Sequence, residues 1–193
     1  MKKLFALILT AACILTLAAC GSSNAPAGDS GAAGGDTPAY ASAEEVLTTV
    51  WNAYAEDEKF PCWGSNAETM VDGAPGAFDV SNTDELTASL VVPADLAGSI
   101  DDAANLMHGM NLNTFTGAAF HVEDAATFAD AYAANLKANQ WMCGFPEQYV
   151  IIDAGSGYVV TAFGAADLIN DFKGYATEAL SGASVISEGP VVE

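Results

Sequence analysis

An α+β fold built on an antiparallel sheet is what this 193-residue chain predicts, and three observations carry the prediction. Between residues 113 and 188 the apolar side chains switch between strand-like and helix-like spacing in the order β-α-β-β-α-β. The two middle strands are joined by a corner around Ala154-Gly155-Ser156, which makes them a hairpin and therefore antiparallel. Ahead of them stand an N-terminal helix signal at Ser42 and a long stretch punctuated by Gly and Pro.

Ser42-Ala43-Glu44-Glu45 is a capping box, a hydroxyl for the free N–H groups of the first turn with an acid three residues on. Val46, Leu47, Val50, Trp51 and Tyr54 then share one helical face, which runs the helix to about Glu58. From Lys59 to Asn82, the residues Pro61, Gly64, Gly73, Pro75 and Gly76 read as a long ordered loop. Short helices are expected at about 83–90 and 100–109, separated by Val91-Val92-Pro93. Thr114 to Val122 reads as a strand with Thr116, Ala118, Phe120 and Val122 on one face and Phe115, Gly117, Ala119 and His121 on the other. Asp124 opens a helix carrying Phe128, Tyr132 and Leu136 at four-residue steps. The hairpin strands are Tyr149 to Asp153 and Gly157 to Phe163, followed by a helix over 165–180 with Leu168, Ile169, Phe172, Ala176 and Leu180 on its apolar face. Ala183 to Ser187 supplies a short last strand, without which the sheet would have three strands. The order is ferredoxin-like, which predicts helices on one face of the sheet.

The N-terminus reads as an address. Lys2-Lys3 and the apolar run Leu4 to Ala19 form the basic and hydrophobic regions of a secretory leader, and Leu17-Ala18-Ala19-Cys20 closes it with a cysteine where the mature chain would begin. That arrangement resembles the lipobox of bacterial lipoproteins. The resemblance implies loss of residues 1–19, a lipid on Cys20, and a home on the extracytoplasmic face of the cell membrane. A spanning helix needs about 20 apolar residues, whereas the 16 from Leu4 to Ala19 already include Thr10 and Thr16. Residues 20–41 are the lipidated cysteine and a Gly/Ala/Ser linker that spans on the order of 25 Å, and residues 42–193 are one α+β domain.

Charge narrows the partners. Of 5 basic residues, Lys2 and Lys3 leave with the leader and none is arginine, so the mature chain carries 3 − 25 = −22. Nucleic acid is excluded as a partner, because binding it depends on Lys and Arg neutralising phosphates. The acids are scattered, which suits solubility at a cell surface, and they would also attract a cation or a basic partner.

Cys13 leaves with the leader and Cys20 is lipidated, so Cys62 and Cys143 can pair only with each other. A disulfide is permitted outside the cytoplasm and would be worth about 4–5 kcal/mol by loop-closure entropy; two free thiols are the alternative. Thiolate catalysis wants a nearby cation, and neither cysteine has Lys or His directly beside it in sequence. A disulfide would gather Trp63 and Trp141, with Phe145 nearby, either as a satellite core or as an exposed platform for a peptide or glycan.

No catalytic motif is present: there is no Gly-x-Ser-x-Gly and no His-Glu-x-x-His, and His121 reads as a rim residue. Met107, His108 and Met110, with Met70 as a further sulfur, are a weak copper-type ligand set; Met107 and Met110 also suit the apolar face of a short helix. Asp101-Asp102 reads as a helix-start acid pair rather than a calcium loop. No cofactor is expected.

Met107-His108-Gly109-Met110-Asn111, Asn113-Thr114-Phe115-Thr116, Trp141-Met142-Cys143-Gly144-Phe145-Pro146 and Ala162-Phe163-Gly164 together resemble a family of uncharacterised lipoproteins of Gram-positive gut bacteria, over about Ser42 to Leu180. The resemblance implies a surface lipoprotein and carries no activity or catalytic residue. The expected function is a lipid-anchored, non-catalytic module for a protein, peptide or cell-wall partner. The alternatives are an envelope hydrolase using acids such as Glu68, Asp72, Asp101 or Asp102, and a metal-handling protein.

Overall fold

Residues 40–192 are described by the computed structural model, so the leader, Cys20 and most of the linker lie outside the described residues. In chain order the elements are α1 (Ala43–Ala53), β1 (Cys62–Gly64), β2 (Val71–Asp72), β3 (Gly76–Ala77), α2 (Thr83–Leu90), a 3-10 turn (Ala97–Ser99), β4 (Ala103–His108), β5 (Phe115–His121), α3 (Ala125–Ala138), β6 (Gln148–Gly155), β7 (Tyr158–Gly164), α4 (Ala166–Ala179) and β8 (Ser184–Pro190). The eight strands form a single sheet in the order β2-β1-β4-β5-β7-β6-β8, with β3 also on β4. Every pairing in it is antiparallel. The α+β class holds, and residues 115–190 follow the β-α-β-β-α-β order. No helix among the described residues is long and apolar enough to cross a membrane.

The helices cover both faces of this sheet, where the ferredoxin-like order predicts one. On face A, Met107, Ala118, Phe120, Ile151, Val159 and Phe163 pack with Leu86 and Leu90 of α2 and with Phe128, Tyr132 and Leu136 of α3. On face B, Leu106, Phe115, Ala119, Val150, Val160 and Ala162 pack with Val46, Leu47 and Val50 of α1 and with Ile169, Phe172 and Ala176 of α4. Strand alternation sends neighbouring residues to opposite clusters, and β5 divides between the faces as its sequence predicts. The two helices of the predicted order, α3 and α4, take opposite faces, and α4 shares its face with the added helix α1. Its apolar stripe needs cover, and it finds it beside α4 on face B.

Burial on both faces also accounts for the largest correction. Residues 103–108 are a strand and not part of a helix at 100–109. A strand covered on both sides carries an unbroken apolar run, so Ala-Ala-Asn-Leu-Met loses the alternation that marks a half-exposed strand. α1 ends at Ala53 rather than Glu58, and the loop from Lys59 to Asn82 contains the three short strands β1, β2 and β3.

Two of those strands close the outer edge of β4 end to end. β1 pairs at Met107 and His108, and β3 at Ala104 and Asn105. At the junction Ser65 turns out of the ladder with φ 70. Its backbone groups are taken up by the side chain of Asn105: Ser65 N–H donates to Oδ1 at 2.6 Å, and Nδ2 donates to the Ser65 carbonyl at 3.2 Å. Gly64 and Gly76 allow the two strands to meet, because a Cβ on Gly64 would lie 2.1 Å from the Gly76 nitrogen.

α1 is fastened at both ends. Ser42 caps it through the Glu45 N–H, and Asp102, at the start of β4, accepts from the Ala43 N–H at 2.7 Å and from the Tyr158 hydroxyl at 3.1 Å. Of the acid pair 101–102, Asp102 alone serves a helix start, and the helix is α1. At the other end the Trp51 indole donates to the Gly73 carbonyl at 3.0 Å, tying the loop to the helix. The far edge of the sheet, β8, is exposed along most of its length. A register shift opposite Ile151 and Ile152 leaves Ile186 as an extra residue, and the strand ends at Gly189 and Pro190. Lys173 of α4 reaches over to Glu188 at 2.9 Å.

Asn105→Ala should destabilise the protein by about 2–4 kcal/mol, because it strands two buried backbone groups of Ser65; a denaturant titration measures it. Alkaline unfolding gives a second check. Burial holds the Tyr54 and Tyr132 phenols well above their ordinary value, and Tyr158 is pushed up to about 12 by burial, then by its bond to Asp102. An unfolded tyrosine ionises near 10. The raised values therefore stabilise the fold fully below about pH 10, and that contribution is lost as pH rises through the folded values. Phenolate absorbance of these residues should appear together with loss of circular dichroism above pH 10, instead of before it.

Candidate binding surface

Two loops meet beyond the ends of β4 and α3: 109–114, joining β4 to β5, and 139–147, joining α3 to β6. Asparagine suits such loops because its amide can bond backbone in place of a regular ladder. Asn111 accepts from the Asn113 N–H at 2.9 Å, closing a local turn. Across the gap, Asn111 Nδ2 donates to the Cys143 carbonyl at 2.9 Å, and Asn113 Nδ2 donates to the carbonyls of Met142 at 2.8 Å and Gly144 at 3.0 Å. Three successive carbonyls converge on two amides because Cys143 and Gly144 take φ 64 and 125. The Leu112 carbonyl accepts from the Thr116 hydroxyl at 2.9 Å, which secures the 109–114 loop to β5.

This fixed backbone presents large apolar side chains to solvent: Met110 is 87% exposed, Met142 78% and Phe145 69%. Behind them Trp141 lies against the face A core, its ring 5.2 Å from that of Phe163. The Trp141 indole N–H is enclosed and has no hydrogen-bond partner. Beside it a hollow of ≈ 270 Å³ opens between the C-terminal ends of α2 and α3, lined by Val91, Leu112, Trp141, Met142 and Phe163 with Asn139 at its rim. A smaller hollow of ≈ 120 Å³ lies by Asn111, Gly144 and Phe145. Residues 103–122 and 138–146 contain no Asp, Glu, Lys or Arg, although the chain has 30 of them.

Of the three aromatics expected to form a surface, Trp141 and Phe145 belong to this loop pair. Trp63 does not line the hollow; it sits in β1, half-buried against the face A core. Cys62 and Cys143 are both free thiols in this structure. Cys62 looks into the face B core and Cys143 into solvent, so the two indoles share face A through the sheet and not through a sulfur bridge. Cys62 stands directly across from His108, a neighbour that chain spacing conceals. Even so, burial first, then Asp72, pushes the Cys62 thiol up to about 11, against a smaller opposing pull from Lys59. At pH 7 this favours the neutral thiol over the nucleophilic thiolate.

The weak metal set is dispersed by the strand that replaces the expected helix. Met107 is buried on face A, His108 turns to face B and stacks on Phe60 at 5.7 Å, and Met110 points out. His108 Nδ1 accepts from the Met110 N–H at 3.2 Å, and Met70 is exposed near β2. Among the described residues no three of His, Cys, Asp and Glu are placed to hold a metal ion. The acids are dispersed likewise. Glu68 borders an open polar hollow of ≈ 390 Å³, Asp72 is on the exposed β2 edge, and Asp102 is occupied by α1. Asp101 pairs with His121 at 2.7 Å, a contact across 20 residues that the sequence does not announce. The imidazole sits over the hairpin turn, where a Cβ on Gly157 would come within 2.8 Å of its Nε2.

A maleimide should therefore label one thiol, Cys143, in the native protein and both Cys62 and Cys143 after unfolding, counted by mass. No label on either residue in the unfolded, unreduced protein would mean that they are joined. No family model, curated protein or solved structure matches this chain.

Proposed function

We propose that this protein is a non-catalytic binding module, held by a lipid on Cys20 at the extracytoplasmic face of the cell membrane, and that it engages a partner through the loop pair bearing Met110, Trp141, Met142 and Phe145. The observation that carries the reading is a rigid backbone holding exposed apolar side chains. Asn111 and Asn113 fix the 142–144 carbonyls, while Met142 and Phe145 stay in water. Protein interfaces are depleted of charge at their centres and enriched in Trp, Phe and Met, and a preformed surface loses less entropy when it binds. The anchoring part rests on the leader and Cys20. Less supports the alternatives of a hydrolase using acids such as Glu68, Asp72, Asp101 or Asp102 and of a metal held by Met107, His108 and Met110: Asp102 is engaged by the Ala43 N–H and the Tyr158 hydroxyl, and Met107 is buried while Met110 is exposed.

A photo-crosslinking benzoyl-phenylalanine placed at Phe145 in living cells should give a discrete higher-mass adduct on illumination, and the same group at Glu178, exposed on α4, should not. No adduct at 145, or equal adducts at both positions, removes the loop pair as the working surface.

A further inference from the structure

The chemistry of the surface narrows what it binds. The hollow beside Trp141 measures ≈ 270 Å³, just under the 300–1,000 Å³ typical of sites that enclose a drug-sized ligand, so it suits one or two large side chains. Its apolar lining favours aliphatic or aromatic groups. It lies where α2 and α3 both end, with Ala88, Ser89 and Val91 from one and Asn139 from the other at its margin. The C-terminal ends of helices carry partial negative charge and disfavour anions. The single basic residue in the last turn of α3, Lys137, lies over the Tyr149 ring at 5.5 Å. Around this uncharged island the mature chain carries 3 − 25 = −22, a field that draws cations and repels acidic segments, second copies of itself included.

We infer, building on the binding role proposed above, that the occupant is an extended segment of a basic protein partner. A bulky apolar side chain fills the hollow between α2 and α3, and Lys or Arg on either side meet the acidic surroundings. Apolar anchoring at the centre supplies affinity, and the flanking charge sets partner choice and the rate of encounter.

The test uses the whole chain, 15N-labelled at its three tryptophans, and capped synthetic peptides as probes: Phe-Leu flanked by paired lysines, Phe-Leu flanked by paired glutamates, and Ser-Ser flanked by paired lysines. The basic apolar peptide should move the Trp141 indole signal saturably. The acidic peptide, the Ser-Ser peptide and the Phe145→Asp variant should each weaken that response by on the order of tenfold or more. Equal binding of the acidic peptide overturns the basic partner while leaving the surface reading intact. Equal binding of the Ser-Ser peptide reduces the effect to charge alone and also overturns it. A Trp141 signal that moves with protein concentration and no peptide makes a second copy the occupant, and one that moves with phosphatidylcholine vesicles makes it a lipid surface; either outcome refutes the inference. If no peptide moves the signal the inference fails, and the crosslinking at 145 still judges the surface itself.

Discussion

A sheet with both faces covered sets the terms for everything else in this molecule. Between Ala118 and Phe120 of β5, and along β7 from Tyr158 to Gly164, every residue is buried, so each of these strands has an apolar layer above and below it. That arrangement needs two helix pairs, α2 with α3 and α1 with α4, and it needs the backbone polar groups of the strands to be satisfied within the sheet, since no water reaches them. Asn105 is the point where that requirement is most exposed. It lies fully buried on β4, and its amide replaces the ladder bonds that Ser65 gives up at the junction of β1 and β3.

The same coverage determines where a binding surface can be. With both faces occupied by helices, what remains accessible is the rim, and at one end of the rim the 109–114 and 139–147 loops are locked together by two asparagines. The lock consists of amide–carbonyl bonds, with Cys143 on its solvent side and Cys62 in the face B core. Charge is sparse at this rim by composition, since no acid falls in 103–122 or 138–146, and Glu147 at the end of the second loop is engaged by the Ala166 N–H. Elsewhere acids take structural posts, such as Asp102 at the head of α1 and Asp124 as the cap of α3.

The elements with a single clear period were legible in the sequence. The helix of Phe128, Tyr132 and Leu136, the hairpin, the two faces of β5 and the Ser42 cap all follow from local chemistry that tertiary packing leaves in place. β4 was not legible, because two-sided burial erases alternation and Leu106, Met107 and Met110 happen to fall at helical spacing. β1, β2 and β3 were hidden as well, since strands of two or three residues exist only through the β4 edge that they cover. Trp141 and Phe145 were nameable as surface candidates, while the hollow beside them was not: it arises from the meeting of two helix ends that lie far apart in the chain. Trp63 shared their sequence context and not their place, because its strand draws it against the core.

The edge strand β8 bears on how many copies of this protein can crowd together. An unpaired, extended strand edge is a template for sheet-to-sheet growth wherever chains meet at high concentration. Here the extra residue Ile186 interrupts the regular spacing of the edge, Pro190 withholds an N–H, and Glu188 is engaged by Lys173 from above. Two such edges brought side by side would find mismatched donors and acceptors and like charges. Such an edge lets the molecules be crowded without fusing edge to edge into fibres.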